Sequence, residues 1–545
     1  MKGVDVIAQC LKQEGVEFVI GYPVNPIFEA AAKVDIRTII VRQERVGLHM
    51  ADAVSRVTSG QKVGVFLMQW GPGCENSFGG VAQAYSESVP LVVLAGGYGR
   101  HMMNISPNFN SFVNFRHITK WIEQVPLAPH IPDIMRRAFT QAKNGRLRPA
   151  LVEIPRDVFD EETPEPMSYS PSLRTRFGPD PQAVAEVAQV LADAKRPVIY
   201  AGQGVHYARA WQELRELAEL LEIPVLTSLQ GKSAFPEGHP LALGSGNRTF
   251  PRTIHHFLQN CDVIFGIGCS FTRTNFGVAM PKGKTIIQAT LDSLDLSKDI
   301  PVQYGLIGDA QLTLKYLIAE LKEIFKSRKR EPEGKVQEEI KKVKGEWMAQ
   351  WMPKLTSGEV PVTPYRVIWD LMHTVDRDQT IITHDAGSPR DQMAPFWEST
   401  VPLSYIGWGK TTQLGSGLGY AMGAKLAQPD RLCINVMGDA AIGFTGMDFE
   451  TAVRERIPIL TIVFNNFSMA CELGIMKVST EKYRSTDISG NYADMAKAFG
   501  GYGERVKDPK EIVPAIKRAI RKTQEGTPAL LEFLTAQELE VSLPK

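Results

Sequence analysis

One stretch, residues 432–467, constrains this chain more than any other. It reads as strand, helix, strand, with an acid and an amide where the two strands end. The apolar run Leu432–Met437 has the character of a strand buried in a parallel sheet, and it stops at Gly438-Asp439. A helical pattern is expected from about Thr445 to Arg456. Ile457-Pro458 ends it, because a residue before proline leaves the α region. A second apolar run, Ile459–Phe464, ends at Asn465-Asn466. In open α/β sheets, ligands gather at the carboxyl ends of parallel strands. Asp439 offers a carboxylate there and Asn466 an amide oxygen. Hard oxygen donors suit Mg²⁺, which fills its remaining positions with water and phosphate. The helix start beside Asp439 offers free N–H groups and positive dipole to an anion. Two readings stand open on this pattern alone: a Mg²⁺–diphosphate site, or a strand-end Asp that caps a helix, with an Asn in a turn.

The spacing adds to the first reading. Gly438-Asp439-Ala440, separated by residues 441–464 from Asn465-Asn466, resembles the thiamin diphosphate (ThDP) binding motif. The resemblance implies Asp439, Asn466 and the backbone carbonyl of Ser468 as Mg²⁺ ligands, with Gly438, Ala440, Ala441 and Met469 beside the cofactor. It extends along nearly the whole chain, and its nearest pattern is the acetolactate synthase-like group.

A chain of 545 residues is too long for one core. Proline-rich 161–182 and charge-rich 326–358, the latter with a solvated helix expected over Lys335–Gln350, divide it into blocks at about 1–160, 183–325 and 360–545. Each block alternates apolar strands with amphipathic helices. This predicts an α/β fold class of three doubly wound parallel-sheet domains. The resemblance makes them pyrimidine-binding, central nucleotide-binding-like and diphosphate-binding in turn. A weak repeat fits a shared topology of the first and last: Ala84-Tyr-Ser-Glu-Ser-Val-Pro-Leu91 resembles Ala452-Val-Arg-Glu-Arg-Ile-Pro-Ile459. A net charge of +1 gives no reason to expect nucleic acid or an anionic membrane as partner. The six cysteines show no C-x-x-C pair or zinc spacing, which favours a reducing cytoplasm. The chain has no signal-like segment and no apolar run near the roughly 20 residues that a membrane span needs.

In the first block, Glu44 follows a strand and opens a helix. Alone, it is an acid placed well for the helix dipole. By resemblance it is the family's activating glutamate, which hydrogen-bonds the aminopyrimidine ring of ThDP and promotes its imino tautomer. Gly71-Pro72-Gly73 with Asn76 is a tight turn by composition, and resembles the family turn near the pyrimidine of a neighbouring subunit's cofactor. Departures from the synthase pattern surround it. Gln69-Trp70 stands where relatives have Thr-Ser, and Val24-Asn25 where they have Gly-Gly. These changes put the substrate in question, not the cofactor. Val24, Asn25, Trp70, Phe467 and Met469 are the expected substrate-pocket residues.

In the last block, Asp385-Ala386-Gly387-Ser388 resembles the segment whose backbone and small side chains hold the diphosphate, and Gly387 permits a close approach. By resemblance the Thr412 carbonyl accepts from the pyrimidine amine, and Leu414 is the apolar wedge that bends the cofactor. The small residues of 417–424 also suit tight helix packing. Glu472, six residues after Asn466, holds the offset of a catalytic glutamate in pyruvate decarboxylase-like enzymes. An apolar pocket there would raise its pKa towards neutrality. The Gln-Trp that synthases carry in this segment is absent.

The expected function is ThDP- and Mg²⁺-dependent making or breaking of a C–C bond in 2-oxoacid or aldehyde substrates. A homodimer or dimer of dimers would have its sites between subunits. One alternative is a 2-hydroxyacyl-CoA lyase or oxalyl-CoA decarboxylase-like enzyme, favoured by Gly443-Phe444-Thr445-Gly446-Met447. Another is a non-catalytic ThDP-binding paralogue. For the central block, whose relatives hold FAD, ADP or nothing, the weak glycine pattern at Phe265–Phe271 leans towards nothing.

Overall fold

The computed structural model describes residues 1–23, 25–327 and 334–543. Three six-stranded sheets, all parallel, follow one another along the chain. The first contains β1 (Phe18–Gly21), β2 (Arg37–Ile40), β3 (Gly64–Met68), β4 (Leu91–Gly97), β5 (Trp121–Gln124) and β6 (Ala150–Pro155). Its order is β2-β1-β3-β4-β6-β5. The second contains β7 (Val198–Ala201), β8 (Val225–Ser228), β9 (Ala242–Gly246), β10 (Val263–Ile267), β11 (Thr285–Thr290) and β12 (Tyr304–Ile307), in the order β12-β11-β10-β7-β8-β9. The third contains β13 (Thr380–His384), β14 (Tyr405–Ile406), β15 (Leu432–Gly438), β16 (Leu460–Asn465), β17 (Tyr502–Val506) and β18 (Ala529–Leu534). Its order, β14-β13-β15-β16-β18-β17, repeats that of the first sheet strand for strand. Central strands such as β3, β4 and β16 are buried along their full length, as parallel strands covered by helices on both faces must be.

Two local expectations need correction. The helix after β15 begins at Asp439, not near Thr445. It runs Asp439–Thr445, passes through a 3₁₀ turn at Gly446–Asp448, and resumes at Phe449–Arg454. Gly438 takes extended geometry as its N-cap, so Asp439 itself enters the first turn. The charge-rich segment expected as a solvated helix over 335–350 runs Lys335–Leu355. Its Ile340, Val343, Trp347 and Trp351 are buried. Trp347 stacks on Phe396 at 5.0 Å, so the helix is a brace against the last block.

The first and third blocks share one core. Helix Glu44–Val57 lies along helix Ser416–Ala427, with Leu48, Met50, Leu418 and Met422 in the same buried cluster. A Cβ on Gly423 would stand 2.1 Å from the Met50 carbonyl oxygen, so glycine is what lets the two backbones approach. No described helix is long and apolar enough to cross a membrane.

Candidate functional site

Strand pairing brings the acid and the amide together. β15 and β16 are neighbours, with Gly438 opposite Phe464, so Asp439 and Asn466 leave adjacent strands at the same edge. Asp439 is buried. Its Oδ1 accepts from the Ala440 N–H (2.8 Å), and its Oδ2 from the N–H groups of Asn466 (3.2 Å) and Ser468 (3.3 Å). Burial pushes the Asp439 carboxyl above its ordinary range, and these N–H donors hold it down. The Asn466 side-chain oxygen accepts from the Ser468 N–H at 2.9 Å. Asn465 is tied elsewhere, donating to Glu532 at 2.7 Å, which separates the roles of the two asparagines.

These groups face a cavity of about 120 Å³. Gly438, Asp439, Ala440, Ala441 and Asn466 form one wall. Ala386, Gly387 and Ser388 form a second, at the start of helix Ser388–Phe396. Leu414 closes a third side, with Ser468, Met469 and Glu472 on the segment after β16. The donor set is suited to a hard cation beside a phosphate: one carboxylate, one amide oxygen and backbone carbonyls. Among the described residues there is no cluster of three or more His, Cys, Asp or Glu that could hold a metal. Ser468 Oγ, buried on this wall, has no hydrogen-bond partner. Glu472 is exposed at the cavity, so the apolar enclosure expected around it is not supplied by this chain. Phe467, exposed and at φ 56°, and Thr412 do not line the cavity.

The residues expected from the first block gather elsewhere. Glu44 is buried at the first turn of its helix and accepts from Asn76 Nδ2 at 3.2 Å. Gly71 caps helix Pro72–Ser86, with Pro72 at its first position. Asn25 is spent on the backbone, donating to the Met68 carbonyl (3.1 Å) and accepting from the Ile27 N–H (3.1 Å). Trp70 is half-buried. Val24 lies outside the described residues. None of the described residues among them lines the Asp439 cavity.

Several contacts carry no signal in the sequence. The Arg156 guanidinium lies 5.0 Å from the centre of the Trp70 ring. Asp385, fully buried, accepts from the N–H groups of Ala386 (2.7 Å), Gly415 (2.8 Å) and Gly417 (2.8 Å). Burial raises it to about 6 against those three donors. Glu87 lies within the Ala84–Leu91 repeat segment. It is fully buried and accepts from the N–H groups of Gly409 (3.0 Å), Lys410 (2.6 Å) and Thr411 (3.4 Å), and from Gln230 Nε2 (3.1 Å). One carboxylate therefore ties all three blocks to the loop that carries Thr412 and Leu414. No spacing rule could have found it, since its partners lie more than 140 residues away.

A second, larger cavity of about 610 Å³ lies in the central block. Tyr200 in β7 and Gly202 just after it, with Gly268 and Cys269 after β10, line it, with Arg146, Arg174, Asp292 and Lys410 around them. Read from its first strand, the central sheet has the order 3-2-1-4-5-6 of dinucleotide-binding folds, and the cavity lies where that order reverses.

Three parallel sheets, with an acid and an amide at adjacent strand ends and a glycine turn opposite them, define an enzyme of the diphosphate-cofactor α/β class. Comparison with known proteins makes the class specific. Residues 1–125 match the N-terminal TPP binding domain of thiamine pyrophosphate enzymes, 184–317 their central domain, and 385–533 their C-terminal TPP binding domain. A probable acetolactate synthase large subunit of Methanococcus aeolicus is 30% identical, over 98% of this chain and 92% of its own. That of Methanocaldococcus jannaschii is also 30% identical, over 98% and 92%. The acetolactate synthase isozyme 3 large subunit of Escherichia coli K12 is 28% identical, over 96% and 93%. The chain belongs to the thiamine pyrophosphate enzyme family.

Proposed function

We propose that this chain is a ThDP- and Mg²⁺-dependent enzyme that decarboxylates a 2-oxoacid and joins the resulting fragment to a second carbonyl, as acetolactate synthases do. The observation that carries this is the meeting of Asp439, Asn466, Gly387 and Leu414 at one cavity. ThDP supplies the electron sink that makes the C–C bond beside a carbonyl labile. The chain's residues do the rest. Asp439, Asn466 and the Ser468 carbonyl would hold Mg²⁺. Gly387, Ser388 and the first turn of helix Ser388–Phe396 receive the diphosphate, and the unpartnered Ser468 Oγ is placed to donate to it. Leu414 would pack against the bound cofactor, and Glu87 and Asp385 fix the loop that carries Leu414. Glu44 moves the proton on the aminopyrimidine ring, and Glu472 serves proton transfer at the exposed side of the cavity.

Because no described first-block residue lines the Asp439 cavity, Glu44 of a second copy completes the site. A homodimer is then the smallest active unit. Apolar side chains on the last block fit such a contact: Phe444, Met447, Val478 and Tyr483 are exposed, and Ile475 is 85% so. The relatives' name, large subunit, supports a further regulatory partner. The cytoplasm is the proposed compartment. The cavity at the central switch point supports a bound nucleotide, FAD or ADP, against the leaning of the glycine pattern. Flavin absorbance in the purified protein, or ADP in its extract, would identify it.

The deciding experiment is pyruvate consumption with ThDP and Mg²⁺, resolving acetolactate, acetaldehyde and acetoin by chromatography. Acetolactate is the expected product. Acetaldehyde alone would replace carboligation with protonation near Glu472. No turnover by ThDP-loaded protein would remove pyruvate as substrate and turn attention to the pocket reshaped by Trp70 and Met469.

A further inference from the structure

The wall of the Asp439 cavity carries a nucleophile that the proposed chemistry does not use. Cys471 is the one exposed thiol, whereas Cys10, Cys74, Cys261, Cys269 and Cys433 are buried. Its Sγ lies 3.3 Å from Ser388 Oγ, and 3.9 Å from the place where a Cβ on Gly387 would stand. The thiol therefore overhangs the turn that is to receive the diphosphate. Two other side chains show that this space is built for a polar ligand. Ser468 Oγ and Gln392 Oε1 belong to residues 4% and 1% exposed, both lining the cavity, and neither has a hydrogen-bond partner. A buried polar atom left unpaired calls for an explanation, and a ligand in this cavity supplies one for both. The hydroxyl can donate to a phosphate oxygen, and the amide oxygen can accept from water or a ligand N–H.

We propose that Cys471 is a thiol-modification site that shares one corner of the cavity with the cofactor's diphosphate, so that low-molecular-weight disulfides and small alkylating agents shut off cofactor binding. The inference rests on the ThDP reading of the Asp439 cavity. In the disulfide case the Cys471 thiolate attacks one sulfur of the small disulfide. A mixed disulfide forms on Cys471, the original S–S bond breaks, the other half leaves as thiolate, and the Cys471 proton passes to solvent. A dithiol reverses the exchange by the same route. The attached group projects from Sγ across Gly387 and Ser388. Five enclosed thiols leave Cys471 as the accessible target.

The test treats the full chain with oxidised glutathione or iodoacetamide, with and without ThDP and Mg²⁺. Adducts are located by peptide mass spectrometry, and ThDP binding is followed by equilibrium dialysis. The expected result is one adduct, on Cys471. ThDP at about 100 times its Kd should slow its formation about 100-fold by mass action. Glutathionylated protein should fail to bind ThDP until dithiothreitol frees the thiol, and Cys471→Ser should take no adduct. Labelling of Cys471 at the same rate with ThDP bound would overturn the proposal. So would modified protein that binds ThDP as before, or a Cys471 that does not react. Asp439→Ala separates this failure from that of the underlying reading. Loss of ThDP binding with Cys471 still labelled supports the shared corner, whereas parent-like ThDP binding would remove the cavity reading itself.

Discussion

The first and third sheets have one topology and opposite contents. Their strand orders match strand for strand, and their principal helices, Glu44–Val57 and Ser416–Ala427, pack along each other. At the end of the third-position strand, β15 delivers Gly438-Asp439, whereas β3 delivers Gln69-Trp70. After the next strand, β16 delivers Asn465-Asn466, whereas β4 ends in Gly96-Gly97. After the second, β2 leads to Glu44 and β14 to the loop of Leu414. The lesson is that topology supplies positions at strand ends, and the residues placed there decide which sheet grips a metal and diphosphate and which supplies an acid.

The comparison breaks first at Asp439. Asp439→Ala removes the carboxylate from the metal-holding side, and ThDP affinity in the presence of Mg²⁺ is expected to fall by more than about 100-fold in dialysis. Retained affinity would mean that the third sheet is not the diphosphate side. Glu44→Gln tests the other half. Turnover should fall about 10²–10⁴-fold with ThDP still bound, the range for a lost proton-transfer group. Mixing the two inactive variants should restore part of the activity through hybrid sites. No restoration would count against a site shared between copies.

A smaller effect is expected where the halves meet. Glu87→Ala leaves three backbone N–H groups of the 409–411 loop without their acceptor, at a cost of about 4 kcal/mol. A lower melting temperature should come with weaker ThDP binding, because the same loop carries Leu414. The smallest effect is a pH dependence. Asp448 accepts from the Arg42 N–H at 2.7 Å, and so joins the blocks, and from the Thr451 hydroxyl at 2.8 Å; burial raises it to about 6, against the pull of those donors. A carboxyl raised in the fold favours the folded state most below its unfolded pKa, and that contribution is lost as pH rises through about 6. Asparagine does not titrate. Relative to the parent, Asp448→Asn should therefore gain about 2–3 kcal/mol between about pH 4 and pH 7, read from unfolding at each pH.

Much was legible in the sequence because it is local. Buried parallel strands show as apolar runs, and a strand-end acid stands beside its strand in the chain. Thus the run Leu432–Met437 and Asp439 could be placed from sequence, while the start of the next helix was missed by about six residues. A Gly-Asp-Ala opening allows helix or loop, and the pairing of Asp439 with the turn after β16 decides between them.

By itself the sequence determined three α/β blocks, the strand-end positions of Asp439 and Asn466, and the small residues that let helix Ser416–Ala427 pack closely. All of these follow from periodicity and spacing over short stretches. Only the tertiary structure decided that Glu87 would clamp a loop 322 residues away, that Arg156 would cover Trp70, and that Cys471 would overhang Ser388. It alone also showed that Glu44 stands apart from the Asp439 cavity of its own chain. These facts depend on which surfaces meet when blocks distant in sequence pack together, and no local pattern encodes that meeting.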